Sequence, residues 1–195
     1  MLLNTIAVLL ATASTAVTAA SIPQARDDTP AGLHVIDVQT LDGGKVMTWY
    51  AADGDEEANL AGLANTSPNT PGDSALLSKR CGSNQVECHS SNHAQTPVCA
   101  DLINQIGNNG NTQATSPRSI CMEWPRYGRC CVSWSVNAPG ARTNYFYSAA
   151  QKTLSTCERG ANGVILSSVS GKSKDTNIGG VCLTQCLSNR PDGCN

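Results

Sequence analysis

Short apolar runs broken by polar stretches follow one another along this chain, and their period changes from run to run. Leu2-Leu3 and Ile6-Ala7-Val8-Leu9-Leu10-Ala11 form an apolar core that gives way to small residues around Val17-Thr18-Ala19-Ala20, which predicts a signal peptide over residues 1–20. The run is shorter than the roughly 20 residues needed to cross a bilayer and no later run exceeds it, so no membrane anchor is expected. Residues 34–50 then hold two β-prone runs, His34 to Leu41 and Lys45 to Tyr50, on either side of Asp42-Gly43-Gly44, which predicts a hairpin. Two strands alone are marginal in water, so this hairpin needs something to dock on. From Ala51 to Arg80 the chain turns to Asp, Glu, Asn, Pro, Gly and Ser without apolar period, as an exposed linker would.

Downstream the period lengthens. Thr96 as N-cap and Pro97 in the first turn open a helix whose Val98, Cys99, Leu102, Ile103 and Ile106 share one face, and the Gly107-Asn-Asn-Gly110 run closes it. Ser119 to Trp124 and Arg129 to Val136, separated by Pro125 and Gly128, read as an antiparallel strand pair. A second helix is expected from Tyr145 to Cys157, with Ala149, Ala150 and Leu154 inside. Gly163 to Val169 and Val181 to Leu187 then read as strands. The order predicts a small α+β sandwich, an antiparallel sheet with two helices on one face.

Composition changes how that sandwich must be held. All ten cysteines lie after residue 80: Cys81, Cys88, Cys99, Cys121, Cys130, Cys131, Cys157, Cys182, Cys186 and Cys194. In a chain routed through the oxidising secretory pathway an even count predicts five disulfides, though not their pairing. Adjacent strand residues point to opposite faces, so Cys130 and Cys131 should take different partners. Residues 81–195 hold only 18 Leu, Ile, Val and Phe, a thin core that bridges would have to reinforce. Charge is divided at the same place: residues 21–78 carry nine acids against Arg26 and Lys45, whereas residues 81–195 carry nine bases against six acids. The dibasic Lys79-Arg80 stands at the junction. A precursor is expected, with an acidic, partly disordered pro-region over 21–80, cleavage after Arg80, and a product over 81–195 that folds as one domain. Asn65 heads a glycosylation sequon in the linker.

Several stretches together carry a resemblance: Cys81-Gly82-Ser83-Asn84, Asn92-His93-Ala94-Gln95, Ser116-Pro117-Arg118-Ser119-Ile120-Cys121, Gly128-x-Cys130-Cys131-Val132-Ser133-Trp134-Ser135 and Cys186-Leu187-Ser188-Asn189-Arg190-Pro191. They resemble the secreted fungal family called WD-like over nearly all of 81–195. In element order and a few cysteines the chain is more distantly similar to fungal killer toxins and necrosis-inducing effectors. Neither resemblance supplies catalytic residues.

Candidate chemistry is sparse. His89 and His93 are four apart and could ligate zinc if helical, with Cys182 and Cys186 completing the set, but disulfide pairing competes for those thiols. No Gly-x-Ser-x-Gly elbow is present; Glu87, Asp101, Glu123 and Glu158 could include a hydrolase pair or could each be a surface acid. Arg118, Arg126, Arg129 and Arg142, interleaved with Trp124, Tyr127 and Trp134, form the best candidate binding surface, set against a reading in which both tryptophans are core and the arginines merely solvated. A net charge of +3 over 81–195 is too weak a field for nucleic acid. No cofactor or metal is expected. The expected function is that of a secreted, non-enzymatic protein, toxin-like or effector-like, with an unknown extracellular target. A cell-wall or carbohydrate-binding protein and a small secreted hydrolase are the alternatives.

Overall fold

In the computed structural model the described residues are 29–54, 81–110, 118–138, 140–160 and 167–194. The expected signal peptide, the linker beyond residue 54 with Asn65, and Lys79-Arg80 lie outside them. Strands β1 (Leu33–Leu41) and β2 (Lys45–Ala52) are joined by a 3-10 turn at Asp42–Gly44, the hairpin expected at 34–50. There follow β3 (Gln85–Cys88), β4 (Ala94–Gln95), helix α1 (Thr96–Asn108), β5 (Ser119–Trp124) and β6 (Gly128–Trp134). A 3-10 turn at Thr143–Phe146 runs into α2 (Tyr147–Cys157), and β7 (Glu158–Arg159), β8 (Ser168–Val169), β9 (Gly171–Ile178) and β10 (Val181–Ser188) complete the order. The main sheet is antiparallel throughout, β1-β2-β5-β6-β10-β9-β3, and β4-β8-β7 form a small second sheet. The fold is a small α+β one, with α1 lying over β5 and β6 and α2 over β9, β10 and β3.

Period two in the strands and 3.6 in the helices meet in one core. Met47 and Trp49 of β2, Ile120 and Met122 of β5, and Val132 and Trp134 of β6 face Val98, Leu102, Ile103 and Ile106 of α1. Phe146, the only phenylalanine of the chain, stacks on Trp134 at 4.1 Å between ring centroids. On the other face Tyr50 packs with Cys121 and Cys131 in a smaller cluster closed by Leu33 and Val35. Cys130 and Cys131 part as their alternation requires: Cys130 reaches Cys99 of α1, and Cys131 reaches Cys121 directly opposite on β5. Cys88–Cys157 ties β3 to the end of α2, and Cys186–Cys194 fastens the C-terminal turn to β10.

Two local expectations shift. The N-cap of α1 is Gln95, not Thr96, because Gln95 is still extended backbone paired in β4, so the first helical residue falls at Thr96 with Pro97 beside it. Strand β9 was not expected, and of the strand expected at 163–169, residues 163–166 lie outside the described residues and Ser168–Val169 form a short strand. Three of the inward positions of β9, Gly171, Ser173 and Thr176, are small or polar, and with Ile178 alone beyond them they leave no apolar alternation to read. The three are small because α2 passes close above them. Thr176 satisfies its hydroxyl on Ser173, by a 3.2 Å bond to the carbonyl oxygen.

Gly171 marks the tightest point of that approach. A Cβ there would lie 2.8 Å from Cys157 Sγ and 2.9 Å from the Glu87 carbonyl oxygen. Gly171→Ala is therefore expected to destabilise the fold by about 1–3 kcal/mol through overpacking. Urea denaturation of the oxidised protein measures it, and an unchanged midpoint would show that α2 is free to lift from β9.

Candidate binding surface and cysteine pairs

The turn between β5 and β6 gathers part of the expected surface. Trp124 ends β5 half-buried, and Tyr127, 43% exposed, meets it edge-on at 5.7 Å between ring centroids. Pro125 and Arg126 are the central residues of a turn closed by Tyr127 N–H donating to the Trp124 carbonyl at 3.3 Å. Arg126 has φ +77°, a left-handed conformation that a turn of this kind normally fills with glycine or asparagine. The other described non-glycine residues with positive φ are Asn84, Asn92 and Asp175, types that tolerate it. Arginine is the exception.

The turn is buttressed from the hairpin and from α1. Lys45 Nζ sits 4.3 Å from the centroid of the Trp124 ring and 2.8 Å from Asp101 Oδ2. The same oxygen accepts the Trp124 Nε1–H at 3.1 Å. One carboxylate thus fixes both the cation and the indole beneath Tyr127. Lys45 escaped the sequence reading because it lies in the acidic segment, far from Trp124 in the chain.

Other expected members lie elsewhere. Arg118 precedes β5 at the end away from the turn, and its guanidinium donates to the carbonyls of Trp134 (3.2 Å) and Ser135 (2.5 Å), so it serves as a strand-end clasp. Arg142 is exposed just before the 3-10 turn at Thr143–Phe146. Arg129, half-buried, opens β6 opposite Glu123. Trp134 is a core residue. The compact group is Lys45, Trp124, Arg126 and Tyr127, with Arg129 next to it.

The acids are spread over β3, α1, β5 and β7. Glu87 is gripped by Lys174 at 2.5 Å and Lys172 at 3.5 Å, and the hydrogen bond from Lys174 holds its carboxyl below the usual range. Glu158 accepts from Ser167 at 2.6 Å, and Asp101 is engaged by Lys45 and Trp124. His89 and His93 sit in an irregular segment between β3 and β4, so the helical spacing that a zinc pair needed is not formed. Of the thiols considered with them, Cys186 is bridged to Cys194. Among the described residues no group of three potential metal ligands comes together.

The expectation of five disulfides is corrected to four, with Cys81 and Cys182 as free thiols. They are neighbours, near enough to hydrogen-bond to each other. Their separation in sequence gave no hint of it: Cys81 is carried to β10 because Gly82 N–H donates to the Asp175 carbonyl on the bulge of β9. Partial burial, then Cys182, then Asp175 push the Cys81 thiol up to about 11.

The architecture defines a small disulfide-bridged α+β protein with a buttressed aromatic turn. The chain belongs to the Fungal WD-like family, whose sequence model matches residues 58–194. No curated protein and no solved structure matches it. Among the described residues no helix is long and apolar enough to cross a membrane.

The thiol arrangement predicts a labelling pattern. Alkylation of the unreduced, denatured chain should mark Cys81 and Cys182 and none of the other eight cysteines; peptide mapping reads it. In the folded protein, labelling at Cys81 should be slow at pH 8 and should accelerate about tenfold per pH unit until near its raised pKa of about 11. A profile levelling off near pH 8.5 would show that burial and Asp175 do not hold the proton there.

Proposed function

We propose that this chain is a secreted, non-enzymatic protein that acts in a toxin-like or effector-like way on another cell, its envelope or a competing microbe, and that it engages its target through the β5–β6 turn. Four disulfides support an extracellular setting, since structural bridges persist chiefly in oxidising compartments. The observation that carries the reading is Arg126. An L-residue in the left-handed region costs roughly 1–2 kcal/mol, and strain of that kind concentrates where a side chain is needed for contact. Arginine and tyrosine at the apex of a rigid turn combine directional donors with a broad apolar face, the composition enriched at binding hot spots. The engagement of Glu87, Asp101 and Glu158 with structural partners supports a non-enzymatic role.

A second reading, binding to a cell-wall polysaccharide, is favoured by the exposed ring of Tyr127 resting on Trp124. A glycan array and a growth-inhibition assay on the same preparation separate the two. Inhibition without glycan binding supports the first reading, and glycan binding without inhibition the second. Turnover of a polysaccharide or peptide substrate would replace both with a hydrolase.

The strain at the turn yields a paired prediction. Arg126→Gly should stabilise the fold by roughly 0.5–1 kcal/mol while abolishing target engagement, because glycine relieves the backbone and removes the donor. Tyr127→Ala should weaken engagement with only a small loss of stability, since the residue is 43% exposed and its packing is against Trp124 at the surface. Thermal melts and the two assays measure both effects; full activity in Arg126→Gly would move the binding surface off this turn.

A further inference from the structure

We infer that the hairpin of β1 and β2 is a strand donor, which stays seated in the sheet as a separate, non-covalently held chain when the polypeptide is cut in the linker between β2 and β3. The family match begins at residue 58, so the hairpin lies upstream of the region that defines the family, yet β2 occupies an interior position of the sheet between β1 and β5. Five consecutive residues of β2 pair with β5, from Val46 opposite Glu123 to Tyr50 opposite Ser119. Its side chains bury on both faces: Met47 and Trp49 enter the main core, while Tyr50 closes over Cys121 and Cys131. Without the hairpin, Ile120 and Met122 on β5 would stand at an open edge.

Polar contacts fasten both ends of the seam. At the turn end Lys45 meets Asp101 and the Trp124 ring; at the other end the Arg118 N–H donates to the Tyr50 carbonyl at 2.6 Å. No disulfide can contribute, because residues 1–80 contain no cysteine. The partner that the β5 edge accepts is therefore a two-stranded segment with a large apolar pair on one face, an aromatic on the other and a lysine at its turn, and residues 33–52 of this chain meet that description. Cleavage after Arg80 would make the product two chains, not the single 81–195 fragment.

The experiment starts from the full oxidised chain, cut after Arg80 by a dibasic-specific endoprotease and examined without denaturant by native mass spectrometry. The expected result is one species with the mass of the uncut chain plus one water, resolved into two chains by denaturant without reductant. Release of the N-terminal fragment under native conditions overturns the inference. Lys45→Ala, an edge contact whose loss leaves the core intact, should release the fragment from the cut protein about tenfold faster. Trp49→Ala should release it faster still. Cut variants that hold the fragment as tightly as the unaltered protein also overturn the assigned seam.

Discussion

The covalent adjacency of Cys130 and Cys131 sets the terms on which the rest of this structure is built. Neighbours on a strand cannot point the same way, so a single dipeptide projects a crosslink from each face of the sheet. The inward one binds α1 through Cys99 and closes a long loop, a constraint on the unfolded chain of about 3–4 kcal/mol. The outward one welds β6 to β5. Helix, strand pair and both packing surfaces are thereby referred to one point near the middle of the sheet. A domain with few large aliphatic residues can then hold its layers in place without a deep apolar interior.

Where that reinforcement ends, the interior becomes polar and close-packed. Under α2 the sheet offers glycine, serine and threonine, and the helix approaches until Gly171 nearly touches Cys157 and Thr153. Gln185, 1% exposed, reaches the Phe146 carbonyl at 2.9 Å from the same face. Hydrogen bonding and the Cys88–Cys157 bridge beside Gly171 replace apolar volume there. The half of the sheet under α1 instead relies on Trp, Met, Ile and Val, and it is there that the upstream hairpin adds Met47 and Trp49.

This division explains what could be read in advance. The hairpin, both helices, the strand pair and the divergence of Cys130 and Cys131 all follow from short-range period and turn chemistry, which Asp42-Gly43-Gly44, Pro97 and Pro125 spell out residue by residue. Strand β9 does not, because a strand whose buried positions run Gly171, Ser173 and Thr176 before a single Ile178 has the composition of a loop. Strand order is also silent in the chain, and with it the juxtaposition of Lys45 with Trp124 and of Cys81 with Cys182. The arginine-aromatic grouping was half legible: Trp124, Arg126 and Tyr127 share one turn, while the extended length of β5 carries Arg118 to its far end. Arg126 itself looks ordinary in sequence, and only its backbone angle singles it out.

The outer strands of the sheet have a bearing on how the protein behaves at high concentration. Among the described strands the two ends are β1 and β3. The pairing of β1 with β2 slips at Val35/Asp37, a bulge that bends its outer backbone, and the exposed Asp37 carboxylate accepts the Val38 N–H at 2.9 Å. The short β3 carries Glu87 flanked by Lys172 and Lys174 of β9. An incoming strand would have to strip water from those charges at one border and straighten a kink at the other. Both borders thus resist the edge-to-edge growth through which exposed sheets pass into fibrils, and the apolar strand β5, which has neither defence, is covered by the hairpin.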